Sequence, residues 1–357
     1  MRSIVLAFVR TFGRFGVLLL LAASLIAVAF WLDLLDDHFA WFVALAPPVI
    51  GSAIATGVLT VGMLFAASRF PKHRYVSREE APGLWRLLDE AATGHALKRW
   101  HLAISDDFNA TVRRYRTMLR PFAPEAIVTF GLPYLLTLDE RAVLAVLAHE
   151  VEHDRRQHTT GSLNIAEFEQ TFVTLFEHLP PERTLTGAAV YAVLGRVGQW
   201  LAQEELALSR RNEFEADSAL AGAAGRREMA RALTLTDVVA EFYVQEIVGP
   251  LRIELLGAMA VPRSPLLRLL EARAALREPG LLARYVALAY AKPDDPSSTH
   301  PSLAQRLASL GEVGLPAIEP VDVIAADVLL LPELQSALIA KFDRDWTNAM
   351  ANSIERT

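Results

Sequence analysis

Two long runs without a charged side chain constrain this sequence more than any other feature in it. They cover Phe15–Leu32 and Phe39–Ser68. At about 1.5 Å of rise per residue, an uncharged helix over 15–32 spans about 27 Å, close to the hydrocarbon thickness of a bilayer. The second run exceeds that length, so part of it is expected to tilt or lie at the interface. Pro47 and Pro48 kink it or mark its start. Trp31 and Trp41 stand at one end of each run, where aromatic belts lie. The expectation is a membrane anchor over 1–70 with two transmembrane helices, about 15–32 and 41–68. Arg2, Arg10 and Arg14 precede the first run, Asp33, Asp36 and Asp37 lie between the two, and Arg69, Lys72 and Arg74 follow the second. Excess positive charge stays on the cytoplasmic side, so both ends are expected there. A cleavable signal peptide is the alternative for the first run, with Ala27-Val28-Ala29 as its cleavage site. The run continues through Trp31 and Leu32, which favours a span.

From Pro71 onward the sequence reads as globular. A net charge of −6 gives no reason to expect nucleic acid as a partner. No cysteine is present, which excludes disulfides, zinc–thiolate sites and iron–sulfur clusters, so any metal must be held by His, Asp or Glu. A helix is expected from Ser77 to Gly94, with Leu84, Leu87, Leu88 and Ala91 at helical spacing. Trp100–Ile104 and Ala126–Phe130 read as strands, and Asn109–Val112 as a further one. Beyond Thr137 the pattern is helical almost throughout. Thr186–Leu194 is apolar but too short to span a bilayer, and reads as a buried or amphipathic helix rather than a third span. Arg113, Arg114, Arg116 and Arg120 form a basic cluster, read first as a solvated face and second as a contact for lipid headgroups. The polypeptide divides into the anchor, a domain over 71–315 and a helical extension over 316–357.

The chemistry concentrates at His149-Glu150-Val151-Glu152-His153. Thr137 and Glu140 are expected to form a capping box for the helix carrying it. Residues four apart share a helix face, so His149 and His153 can each present a ring nitrogen to one zinc ion. Glu150, one position round, stands where a general base for water belongs. A catalytic zinc needs three protein ligands. Arg156 and Thr159 occupy the places where a third histidine of the metzincin type would require Gly and His. Glu213 and Asp217, also four apart, offer a ligand and an acceptor that fixes the tautomer of a ligand histidine. An extended polypeptide substrate would pair with an edge strand near Asn109 and Ala110. His300 and Arg306 are the candidates for stabilising the developing oxyanion.

With these elements in this order the sequence resembles the M48 metallopeptidases, a family containing the HtpX-type proteases and the CAAX prenyl proteases. The resemblance rests on Gly131-Leu132, Leu138-Asp139-Glu140, Val146 to Glu150, Ser209-Arg210 with Glu213, Ala216 and Asp217, and Thr299-His300-Pro301-Ser302 with Arg306. It implies a mainly α fold with a small β-sheet: a zincin-like domain behind two transmembrane helices. It also implies one Zn2+ per chain, with Glu213 as third ligand and Asp217 behind it. Two spans place the chain nearer the HtpX-like branch, in a bacterial cytoplasmic membrane with the peptidase domain facing the cytoplasm. A zinc-bound scaffold without peptidase activity is the alternative, disfavoured by the presence of Glu150.

Overall fold

The computed structural model describes residues 2–66, 74–95, 97, 99–117, 120–161, 164–165, 168, 180, 182–183, 185–258, 260–312 and 314–354. The chain is predominantly helical with one three-stranded sheet, and it divides into two compact units. Residues 1–71, 115–124 and 156–209 form one unit; 72–114, 125–155 and 210–357 form the other.

The first unit opens with α1 (Arg2–Phe12), α2 (Gly16–Asp37) and α3 (Phe39–Ala66). Helices α2 and α3 pack on each other. His38, with φ −141° and ψ 54°, breaks the helical run between them. Across that corner Trp31 Nε1 donates to the Phe42 carbonyl at 2.8 Å, and the two rings stack 4.4 Å apart. Leu25, Ile26, Phe30, Ile54 and Val58 are all exposed, an outer surface that water disfavours. Among the described residues one stretch, Phe39–Val58, is long and apolar enough to cross a membrane, where two were expected. Helix α2 runs on to Asp37, so the three carboxylates expected in a connecting loop belong to its last turns, and the loop shrinks to His38. In the same unit Val9 of α1 is buried with Ile165 and with Leu201 of α7 (Leu185–Ala224). Thr186–Leu194 forms early turns of α7. Tyr191 is exposed there, and most other side chains of that stretch lie outside the described ones.

The second unit holds α4 (Pro82–Ala91) and the strands β1 (Trp100–Ser105), β2 (Ala110–Thr117) and β3 (Arg120–Gly131), whose far ends belong to the first unit. The strand order is β1-β3-β2, so β2 is an edge. Strands β1 and β3 run parallel, from Trp100 opposite Ala126 to Ser105 opposite Gly131. Helix α4 starts later than its apolar spacing predicts. Ser77 and Glu80 cap each other reciprocally, Ser77 N–H to Glu80 Oε2 at 2.8 Å and Glu80 N–H to Ser77 Oγ at 3.2 Å. Pro82 then takes the first turn, where its missing N–H costs nothing.

After α5 (Leu132–Leu135) comes α6 (Glu140–Thr160). Its cap is Asp139 rather than Thr137: Asp139 Oδ1 accepts from Ala142 N–H at 2.8 Å, while the Thr137 hydroxyl donates back to the Pro133 carbonyl at 2.7 Å. Glu140 turns outward to pair with Arg86. Further helices are α8 (Arg226–Phe242), α9 (Gly249–Leu255), α10 (Pro265–Ala272), α11 (Pro279–Ala291), α12 (Leu303–Ser309), α13 (Ala325–Leu329) and α14 (Pro332–Ile354). Leu84, Leu102, Phe130, Leu135 and Leu147 meet in one core, each contributing about 1.5–3 kcal/mol by leaving water. The C-terminal segment 316–357 sends Ala325, Leu329, Leu334 and Leu338 into that same core. A second cluster gathers Phe242, Leu269, Tyr285 and Leu307.

Candidate metal centre

Helix α6 is two-faced. Val143, Leu147 and Val151, four apart, point into the core. His149 and His153, offset by two, point the other way, toward α7. The face that α7 returns is Asn212, Glu213, Ala216 and Asp217, all buried, with the two carboxylates fully enclosed. Helical spacing alone thus lines up two histidines against two acids.

His149 Nε2 lies 3.3 Å from Glu213 Oε2, and His153 Nε2 lies 3.1 Å from Glu213 Oε1. His149 Nδ1 lies 3.1 Å from Asp217 Oδ1. These are ion-pair separations rather than aligned hydrogen bonds; neither Glu213 oxygen has a well-directed donor. Burial opposes charge on these groups, but the charges answer one another. Burial would lower the His149 pKa, yet Asp217 and Glu213 push it up to about 9. Burial would raise that of Glu213, yet His149, His153, His300 and Arg306 hold it far below the usual carboxylate range.

Two sequence candidates arrive from the 294–306 segment. Ser302 caps α12 by accepting from Gln305 N–H. One turn later Arg306 donates through Nε to Asp217 Oδ2 at 2.8 Å and through Nη2 to Oδ1 at 2.7 Å. That bidentate pair is buried, and Arg306 Nη2 stands 3.5 Å from His149 Nε2. The planar guanidinium of Arg306 thus finds a planar carboxylate in Asp217 and is held there. His300 is different. Its Nδ1 lies 3.0 Å from Glu213 Oε1 while its side chain remains 64% exposed, leaving the far ring edge open to the cleft. Arg210 fixes the segment: its guanidinium reaches both Asp294 oxygens at 2.8 Å and the Ser298 carbonyl at 3.0 Å.

Beside these groups opens a cavity of about 260 Å3 whose wall includes Asn109, Ala110, Tyr134, Val146, Glu150 and His300. Burial raises the Glu150 pKa, opposed by His149 and His153. Asn109 and Ala110 come to the cleft at the start of edge strand β2. Gly131 N–H donates to the Asn109 carbonyl at 2.8 Å. A Cβ at Gly131 would overlap the Asp107 carbonyl oxygen and come 2.8 Å from that of Asn109, so only glycine permits this approach. Ala110 N–H is held by Asn109 Oδ1 at 2.9 Å.

Several contributors escaped the sequence reading. Arg114 does not belong to a solvated basic face. Its side chain is buried, and Nε and Nη2 donate to both Asp154 oxygens at 2.7–2.8 Å. His95 Nε2 joins at 3.4 Å. This cluster ties β2 to α6 directly behind His153. Arg113 is exposed, and the side chains of Arg116 and Arg120 lie outside the described ones. A basic residue on a strand forty positions before its acid leaves no local signal. Asp237 and Tyr134 were also missed. Asp237 did leave a signal: it is the one acid in a helical stripe of Met229, Ala232, Leu233 and Thr236.

Among the described residues no group of three His, Asp or Glu side chains is arranged to hold a metal ion. The donor types are nonetheless those zinc takes, two imidazoles and a carboxylate. Each histidine lies 3.1–3.3 Å from a different oxygen of the one carboxylate. The fully buried Glu213 carboxylate lacks an aligned donor, which a cation would supply. The charge that drives protons onto His149 is the charge a divalent ion would answer. The family model described as peptidase family M48 matches residues 95–313, more than half of the chain, a stretch that includes the sheet, α6, α7 and α12. Neither a curated protein nor a solved structure matches the chain.

Proposed function

The chain belongs to peptidase family M48, and from that premise we propose that it is a membrane-anchored, zinc-dependent endopeptidase of the HtpX-like kind, acting on membrane-associated or misfolded proteins. The observation that carries this reading is Glu213, fully buried between His149 and His153, with Glu150 in the cavity alongside. His149, His153 and Glu213 would hold the ion. Zinc bound there supplies Lewis-acid chemistry, polarising a carbonyl and acidifying water.

The remaining work falls to the chain. Glu150, whose burial raises its affinity for a proton, takes one from the attacking water on its carboxylate and returns it to the leaving amine. His300, open to the cleft, donates to the oxygen that gains charge as the carbonyl carbon becomes tetrahedral. Asp217 holds the His149 ring through Nδ1, and Arg306 holds Asp217. An extended substrate lies along the start of β2, displacing the Asn109 side chain from Ala110 N–H. Helix α3 spans the bilayer, and α2, with an apolar run of sufficient length before its acidic end, spans it a second time. The basic residues outside both helices support a peptidase domain on the cytoplasmic side.

The test is cleavage of casein and of an unfolded membrane protein by wild type and by Glu150→Gln, purified in detergent with zinc. Wild type is expected to cleave and the variant to lose at least about a hundredfold in rate with its zinc retained. Equal rates would defeat the mechanism, and no cleavage by zinc-loaded wild type would leave a scaffold.

A further inference from the structure

Helix α8 presents one face to the cavity beside Glu150. Met229, Ala232, Leu233, Thr236 and Asp237 follow the i, i+3, i+4, i+7, i+8 spacing of a single stripe, and all five line the cavity. The first three are buried and apolar. The Thr236 hydroxyl is turned back onto the Ala232 carbonyl at 2.8 Å. That leaves Asp237 as the polar group the stripe offers to an occupant.

Asp237 has no ion pair or hydrogen bond among the described residues. The neighbouring cations are engaged elsewhere: Arg306 with Asp217, His300 with Glu213, and Lys292 3.8 Å from Glu241. Burial raises the Asp237 pKa against the more distant charges of Arg306, Lys292 and His300, none of which pairs with it directly. A cation arriving in the cavity would remove that cost. An apolar stripe ending in an unpaired carboxylate suits a side chain with an alkyl stem and a positive tip.

We propose that Asp237 is a specificity-determining residue: the cavity between α6 and α8 accepts a lysine or arginine side chain of the substrate, at a position flanking the scissile bond, and Asp237 pairs with its charge. This rests on the peptidase reading above. It is tested by digesting a randomised peptide library with the full-length zinc-loaded protein and identifying the cleaved bonds. Wild type is expected to enrich Lys or Arg roughly tenfold over norleucine at one fixed position next to the cut. Asp237→Asn should bring that ratio near unity, and Asp237→Arg should turn it toward Glu. Binding gives a second readout. The cleavage-impaired Glu150→Gln protein should bind a lysine peptide roughly tenfold more tightly than its norleucine counterpart, and the added Asp237→Asn change should abolish the difference. Cleavage by wild type without basic enrichment overturns the proposal and leaves the peptidase reading intact. Cuts confined to the first residue of free N-termini also overturn it, since the partner would then be an α-amine. No cleavage of any peptide overturns both.

Discussion

His300 and Arg306 sit six positions apart, yet the structure separates their roles. Arg306 is buried on Asp217, whereas His300 is exposed at the cleft edge. Removing Arg306 leaves the enclosed Asp217 with His149 as its remaining partner, a loss of about 3 kcal/mol. Arg306→Ala is therefore expected to lower the melting temperature sharply and to loosen zinc, as read by thermal unfolding and by titration with a competing chelator. His300→Ala should do neither; its expected effect is a fall of about a hundredfold in kcat with KM little changed. If Arg306→Ala kept its melting temperature and zinc affinity and lost only kcat, the guanidinium would be the oxyanion donor after all.

Two joints hold helix α6, which carries His149, Glu150 and His153. At its start, Asp139 caps Ala142 N–H and pairs with Arg231. Behind its second histidine, Asp154 takes the fork of Arg114. Asp139→Ala should cost about 1–2 kcal/mol through the lost cap, measured by chemical denaturation, whereas Thr137→Val should leave the α6 cap in place. Arg114→Met alone should cost about 3–5 kcal/mol by stranding Asp154, and the double change with Asp154→Leu should recover much of it. Equal losses in the single and double variants would remove the buried pair from any structural role. These joints also mark where sequence reasoning stops. The His149, Glu150 and His153 pattern is legible because one helix period aligns it, and Glu213 with Asp217 is legible for the same reason. The choice of Asp139 over Thr137 is not, because two capping residues stand two positions apart and only the packing of α5 turns Thr137 back toward Pro133. Arg114 reads as a surface charge because its partner lies forty residues away, and pairing across that distance leaves no periodic trace. The end of α2 was misplaced because acidic residues signal a loop and here fill the last turns of a helix.

At the scale of the molecule, an apolar helical pair leads a domain that carries a buried, charge-dense site. The anchor should keep the protein in the membrane pellet through alkaline carbonate washing and release it only with detergent. A reporter active only in the cytoplasm should work at both termini and fail when inserted at Asp36; failure at the N-terminus would contradict a second span. The zinc-binding reading depends less on the anchor than on one carboxylate, fully buried between two histidines. Its most direct test is the metal content of the purified full-length protein by elemental mass spectrometry, for wild type, Glu150→Gln and Glu213→Gln. One zinc per chain is expected in the first two and close to none in the third. Wild type without zinc after purification in its presence, or undiminished zinc in Glu213→Gln, would contradict it.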